Sequence, residues 1–98
     1  MSNSRPDQTL YVIAYDIPND RRRAKVLKTL RGFGQWTQYS VFECFLSAKE
    51  LVLLHEKLRK LIRPDEDSVR FYPLCQACCA KVETVGGEKP ANPITVIV

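Results

Sequence analysis

Apolar and polar positions along this chain follow two different periods, and the places where the period changes divide it into elements. Leu10-Tyr-Val-Ile-Ala-Tyr15 is apolar at consecutive positions and rich in β-branched and aromatic residues, the composition of a central strand covered on both sides. Asp16-Ile-Pro-Asn19 then makes a turn, because Pro18 drives Ile17 out of the helical region and Asn19 can cap the next helix. That helix is predicted from Asp20 to Arg31, with Val26, Leu27, Leu30 and Phe33 at helical spacing. Gly32 or Gly34 is expected to supply the left-handed residue that stops it. Gln35 to Leu46 is dense in aromatic and β-branched residues and too long for one average strand, so two strands are predicted with a break near Tyr39-Ser40.

Ser47-Ala-Lys-Glu50 has the spacing of a capping box, in which serine and glutamate satisfy each other's backbone amides. Leu51, Leu54, Leu58 and Leu61 form the stripe of a second helix, Glu56 and Lys60 stand one turn apart on its wet face, and Pro64 ends it. Asp65-Glu-Asp67 reads as a polar turn, Ser68 to Leu74 as a strand carrying Val69, Phe71 and Tyr72, and Ala80 to Val85 as one more short strand. Gly86 to Pro93 has the composition of a flexible linker, and Ile94-Thr-Val-Ile-Val98 is a strong strand former. No internal repeat is visible. Strand, helix, two strands, helix, strand is the ferredoxin-like α+β order, an antiparallel sheet with both helices on one face. An additional C-terminal strand at 94–98 could pair with an edge of its own sheet or of a second copy, so a homodimer with C-terminal strand exchange is expected. The organisation predicted is a poorly ordered N-terminus at 1–7, one domain at 8–85 and a C-terminal arm at 86–98.

Composition narrows the picture. The 98 residues, 45% apolar and 27% charged, suit one small domain. Fifteen Lys and Arg against eleven acids, a formal net charge of +4, mildly favour a polyanionic partner such as nucleic acid. No apolar run approaches the ~18 residues of a membrane span, and the polar start Met1-Ser-Asn-Ser-Arg-Pro-Asp7 lacks a signal-peptide core. The expectation is a cytoplasmic protein with no membrane partner and four reduced cysteines.

The chemistry concentrates where the first strand ends. A carboxylate, Asp16, lies at the strand's C-terminal end, and Arg21, Arg22, Arg23 and Lys25 crowd the adjoining helix start. Cations there oppose the helix dipole, each at ~0.3–1 kcal/mol, so an anion is expected to offset them. One reading has Asp16 holding a divalent metal or activating a water while the basic residues bind phosphates. The other has Asp16 closing an Asx turn and the arginines forming a solvated face. These residues alone favour the second, since one carboxylate is a poor metal site. A two-fold dimer that brings two copies of Asp16 together would supply the missing ligand.

Tyr11-Val-Ile-Ala-Tyr-Asp-Ile17, Asp20-Arg-Arg-Arg-Ala-Lys-Val-Leu27 and Gly34-Gln-Trp-Thr-Gln-Tyr-Ser-Val-Phe-Glu43 resemble, in order and spacing, the successive motifs of the CRISPR-associated protein two family. The resemblance covers roughly residues 8 to 85. It implies a ferredoxin-like homodimer whose C-terminal strands complete the partner's sheet, which works beside the CRISPR-associated integrase in acquiring spacers. It also implies metal-dependent endonuclease activity on RNA or duplex DNA. Carried over by motif, Asp16 is the catalytic and metal residue, with Mg²⁺ or another divalent ion shared across the dimer. Arg21, Arg22, Arg23, Lys25 and Arg31 form the nucleic-acid surface, and Tyr15, Ser40 and Phe42 support the cleft. Two functions stay open. One is hydrolysis of phosphodiesters at paired Asp16 residues; the other is a scaffold whose basic surfaces lie along DNA without cleaving it. The absence of a second acid or a well-placed histidine near Asp16 leans to the scaffold, and the resemblance leans to the endonuclease.

Other motifs have plainer readings. Arg31-Gly-Phe-Gly34 matches the start of an RNA-recognition motif, but it sits at a helix end, where glycines stop the helix. Cys75-Gln-Ala-Cys78-Cys79 suggests half a zinc site, yet too few ligands accompany it, and buried reduced thiols at a strand crossing are expected instead. His55, the single histidine, falls at the margin of the leucine stripe as a packing residue. Trp36, Tyr39 and Phe42 could stack on bases but are read as core, with Phe42 placed nearer the dimer cleft by the resemblance.

Overall fold

The computed structural model describes residues 7–86. Their order is β1 (Thr9–Asp16), α1 (Asp20–Arg31), β2 (Gln35–Gln38), β3 (Val41–Leu46), α2 (Ala48–Leu61), β4 (Ser68–Leu74) and a one-turn helix α3 (Gln76–Cys79). The four strands form one antiparallel sheet in the order β2-β3-β1-β4. This is the ferredoxin-like arrangement expected from the sequence. All but the first residue of the predicted arm, its strand at 94–98 and most of the predicted disordered start lie outside the described residues.

Register assigns every strand residue to one of two sheet faces. Ile13 lies opposite Phe42 in β3 and Phe71 in β4, and Tyr11 lies opposite Cys44, so these side chains share a face. That face packs on α1 and α2 through Val26, Leu30, Leu54 and Leu58, making one cluster with Ile13, Tyr15, Ile17, Phe42, Cys44 and Leu46. The helical stripes therefore bury as their spacing predicts. Tyr11 meets Phe71 edge-on, with ring centroids 6.3 Å apart, and His55 packs at the margin, 4.5 Å from the ring of Phe71.

Both helix starts are capped as predicted. The Arg22 amide donates to Asn19 Oδ1 at 2.9 Å. In the capping box, the Glu50 amide donates to Ser47 Oγ at 3.1 Å and the Ser47 amide to Glu50 Oε1 at 2.8 Å. The end of α1 differs from expectation. Gly32 keeps right-handed backbone angles, and the helix closes through amides of Phe33 and Gly34 donating to the Leu30 carbonyl. Gly34 matters for proximity instead: a Cβ there would fall 2.8 Å from Cys44 Cα and closer still to Cys44 Sγ and the Glu43 carbonyl. On α2, Glu56 pairs with Arg59 at 2.8 Å rather than with Lys60.

The break between β2 and β3 falls where expected, at Tyr39, whose φ of 45° turns the chain in the left-handed region. Trp36 and Tyr39 are not core. They are 53% and 86% exposed, because β2 is an edge strand whose side chains are all exposed. The Trp36 indole N–H is satisfied locally, donating to the Tyr39 carbonyl at 2.7 Å. The strand predicted at Ala80–Val85 does not form. The chain leaves β4 through α3, which lies against β1 and β4, and ends in turn and irregular structure. Consequently Cys75 and Cys78 are exposed, while Cys79 and Cys44 are buried and all four thiols are free, correcting the expectation of a uniformly buried cluster.

Candidate metal and nucleic-acid site at the end of the first strand

Alternation along β1 sends Tyr15 into the core and Asp16 to the opposite, open face, where Asp16 is exposed. Tyr15 is buried against Phe42, with rings 6.3 Å apart, and its amide donates to the Ser40 carbonyl at 3.0 Å. Phe42 is 0% exposed. Tyr15, Ser40 and Phe42 thus brace the end of β1 from beneath, and within one chain Phe42 cannot line an open cleft.

The loop that carries Asp16 is tied down by Arg23. Its guanidinium donates to the carbonyls of Ile17 at 2.9 Å and Pro18 at 3.4 Å and pairs with Asp20. Arg22 is committed elsewhere. Its Nε and Nη2 grip the Asp67 carboxylate at 2.8 and 3.1 Å, and Nη2 reaches Glu66 Oε1 at 2.8 Å. Asp67, only 6% exposed, also accepts from the Arg63 amide at 2.9 Å. The Arg22 hydrogen bonds hold the Asp67 carboxyl below the usual aspartate range, against the opposing effect of burial and with help from the Arg63 amide. The anion expected to offset the basic helix start is therefore supplied largely by the protein, and within this chain the guanidiniums of Arg22 and Arg23 are engaged by Asp67, Glu66 and Asp20.

The remaining cations divide by position. Arg21 and Lys25 are exposed and lie one turn apart, and exposed Lys28 extends them into a stripe down α1. Arg31 is exposed too, but it stands about 15 Å further along the helix axis than Arg21 and roughly 80° around it from that stripe. Lys28 joins them by spacing alone, three residues on from Lys25 along the helix.

Two residues not anticipated join Asp16 through the sheet. Register places Ser68 directly opposite Asp16 and Arg70 opposite Ala14, so both project from the face that carries Asp16. Arg70 is held protonated more firmly than usual by its hydrogen bond to Tyr72. The polar alternation Ser68-x-Arg70-x-Tyr72 was readable along the strand, but its alignment with Asp16 required the β1–β4 pairing. Within one chain this set does not make a divalent-metal site. Asp16 brings one carboxylate, and no group of three His, Cys, Asp or Glu gathers among the described residues.

Residues 9–82 match the family model described as CRISPR associated protein Cas2. The chain belongs to the Cas2 family. It is 52% identical over 91 residues to a Synechocystis protein named CRISPR-associated endoribonuclease Cas2 3, covering 91% of this chain and 98% of that one. It is 43% identical over 77 residues to the CRISPR-associated endoribonuclease Cas2 of Thermus thermophilus, covering 79% and 82%. The Cas2 crystal structure from Streptococcus pyogenes superposes with a TM-score of 0.70 at 33% identity, covering 79% of this chain and 99% of that one. A chain of a partial Cas6-RT-Cas1–Cas2 complex superposes with a TM-score of 0.71 at 28% identity, covering 86% and 92%. Among the described residues no helix is long and apolar enough to cross a membrane.

Proposed function

We propose that this Cas2-family chain acts as a homodimer that binds nucleic acid across α1 and the open end of its sheet, and that Asp16 is the residue of an endonuclease activity. The observation that carries the reading is the position of Asp16: an exposed carboxylate at a strand end, beside cations left unengaged by the fold. Arg21, Lys25 and Lys28 suit phosphate contacts, with Arg31 serving a more distant segment of the same strand. Arg23 serves indirectly by fixing the Asp16 loop, and Arg70 lies on the Asp16 side as a further phosphate ligand. Two copies of Asp16 would give a divalent ion such as Mg²⁺ the two carboxylates one chain lacks, and the ion would supply a Lewis acid and an activated water.

The dimer reading is supported by the sheet's open face, where Val12, Ala14, Val41, Phe45 and Leu74 are only partly buried. The relatives' names support endoribonuclease chemistry, and the Cas1–Cas2 complex supports work beside an integrase in spacer acquisition. One observation favours a second reading, a scaffold without cleavage. No acid or histidine stands opposite Asp16, whose sheet partner is Ser68.

The test is cleavage of labelled single-stranded RNA and duplex DNA by wild type and Asp16→Ala, with Mg²⁺ and with chelator, beside binding at several salt concentrations. Metal-dependent cleavage lost in Asp16→Ala, with unchanged stability and binding, is expected. Equal or absent cleavage in both proteins, with binding intact, would leave the scaffold. A triple Arg21→Ala, Lys25→Ala, Lys28→Ala variant should reduce the slope of log affinity against log salt by about 2–3.

A further inference from the structure

A second set of reactive side chains lies away from Asp16, just beyond the end of β4. Cys75 caps α3: its Sγ accepts from the Cys78 amide at 3.4 Å, and its carbonyl accepts from the Cys79 amide at 2.8 Å. The turn is closed further by the Lys81 amide donating to the Cys78 carbonyl at 3.0 Å. Cys75 and Cys78 are both exposed and free. With the Cys75 Sγ in contact with the Cys78 amide, the two residues stand together across the one turn that Cys75 caps, the kind of separation a disulfide spans. We propose that Cys75 and Cys78 form a reversible dithiol–disulfide site that reacts with glutathione-type and thioredoxin-type disulfides, with Cys75 as the attacking and Cys78 as the resolving sulfur.

The four thiols differ in the way this division requires. The Cys78 amide and thiol both hydrogen-bond the Cys75 sulfur, which lowers the Cys75 pKa. Cys78 is shifted upward as the donor in that pair. Burial raises Cys79 and pushes Cys44 up to about 12, with Glu43 adding to the effect, so these two are inert. No third His, Cys, Asp or Glu joins the exposed pair into a metal-binding group among the described residues. The chemistry left to two adjacent exposed thiols is disulfide exchange.

The reaction balances with glutathione disulfide as oxidant. The Cys75 thiolate attacks one sulfur of glutathione disulfide, forming a Cys75–glutathione bond and expelling one glutathione thiolate. The Cys78 thiolate then attacks Cys75 Sγ, forming the Cys75–Cys78 bond and expelling the second. Two protein thiols lose two electrons, one disulfide is reduced to two thiols, and the protons of Cys75 and Cys78 end on the two departing glutathiones.

The site is independent of the nuclease reading and is tested apart from it. Full-length reduced protein is incubated with excess glutathione disulfide, residual thiols are blocked, and intact mass and disulfide mapping are recorded. Wild type is expected to lose two hydrogens with the bond mapped to Cys75–Cys78, and to recover them with reduced thioredoxin. Cys78→Ser should stop at one glutathione on Cys75. Cys75→Ser, in which the serine hydroxyl keeps the cap acceptor, should acquire glutathione at Cys78 roughly three- to tenfold more slowly than Cys78→Ser does at Cys75. The proposal is overturned if both thiols stay free, if Cys78→Ser accumulates no adduct, if the two single variants react equally fast, or if the bond links two copies.

Discussion

The two faces of one sheet behave like parts of different proteins. On the face under α1 and α2, Ile13, Phe42 and Cys44 are sealed from water, and each has an apolar partner across the register. On the other face, apolar Val12, Ala14 and Phe45 alternate along and across the strands with Asp16, Glu43, Arg70 and Tyr72. The first face is built to hold the fold, and its backbone is already paired in the ladder. The second face mixes charge with apolar surface, and such a surface gains most when something else covers it. A residue on that second side can change without opening the core, and the proposed Asp16 site draws on it.

Truncating the covered face has the largest expected effect. Phe42→Ala removes a fully buried ring at the centre of the cluster and should cost about 3–5 kcal/mol in urea unfolding. A cost near zero would mean that the core does not depend on this face. Between the two faces in effect stands the α1–turn clamp. Asp67→Asn should lower Tm by roughly 5–10 °C at neutral pH. Because the folded carboxyl titrates below its ordinary value of about 3.9, its contribution is fully present above that value and is lost as pH falls through the lower folded one. The difference between wild type and variant should therefore shrink as thermal scans move below about pH 4. A difference that persists there would show that charge is not what the clamp uses.

The smallest effect belongs to the open face. Burial raises the Glu43 carboxyl above its ordinary range, so this group's own contribution to stability is most favourable below about pH 4.3 and falls as pH rises through the folded value. Glu43→Gln should raise Tm by about 1–3 °C at pH 7 and leave it unchanged near pH 4. A second copy seated on this face would bury Glu43 further, and the gain would then grow with protein concentration. A gain independent of concentration would mark the face as open.

Local chemistry was legible residue by residue. Asn19 and Ser47 cap their helices, the leucine stripe buries, Pro64 lies just past the end of α2, and Asp16 comes at a strand end. Each of these depends on interactions within a few positions along the chain, where periodicity and side-chain chemistry suffice. The errors share one cause as well. Trp36 and Tyr39 look like core until β2 proves to be an edge strand, and Cys75 and Cys78 look buried until the chain after β4 turns into α3. The candidate site shows the same division. Asp16 and the free stripe of Arg21 and Lys25 were readable, whereas Arg22 looked like their equal.

By itself, then, the sequence determined which segments become the two long helices and the four strands, where those helices start, and which carboxylate and cations stand at the first strand's end. Only the tertiary structure decided which cations are free. Arg22 meets Asp67 across 45 positions of chain, and Ser68 and Arg70 join the face of Asp16 only through the pairing of β4 with β1. Hydrogen bonds and ion pairs act over a few ångströms, so their partners are set by how the chain returns on itself, and that return is driven by burial of apolar faces with no regard to which charges it brings together.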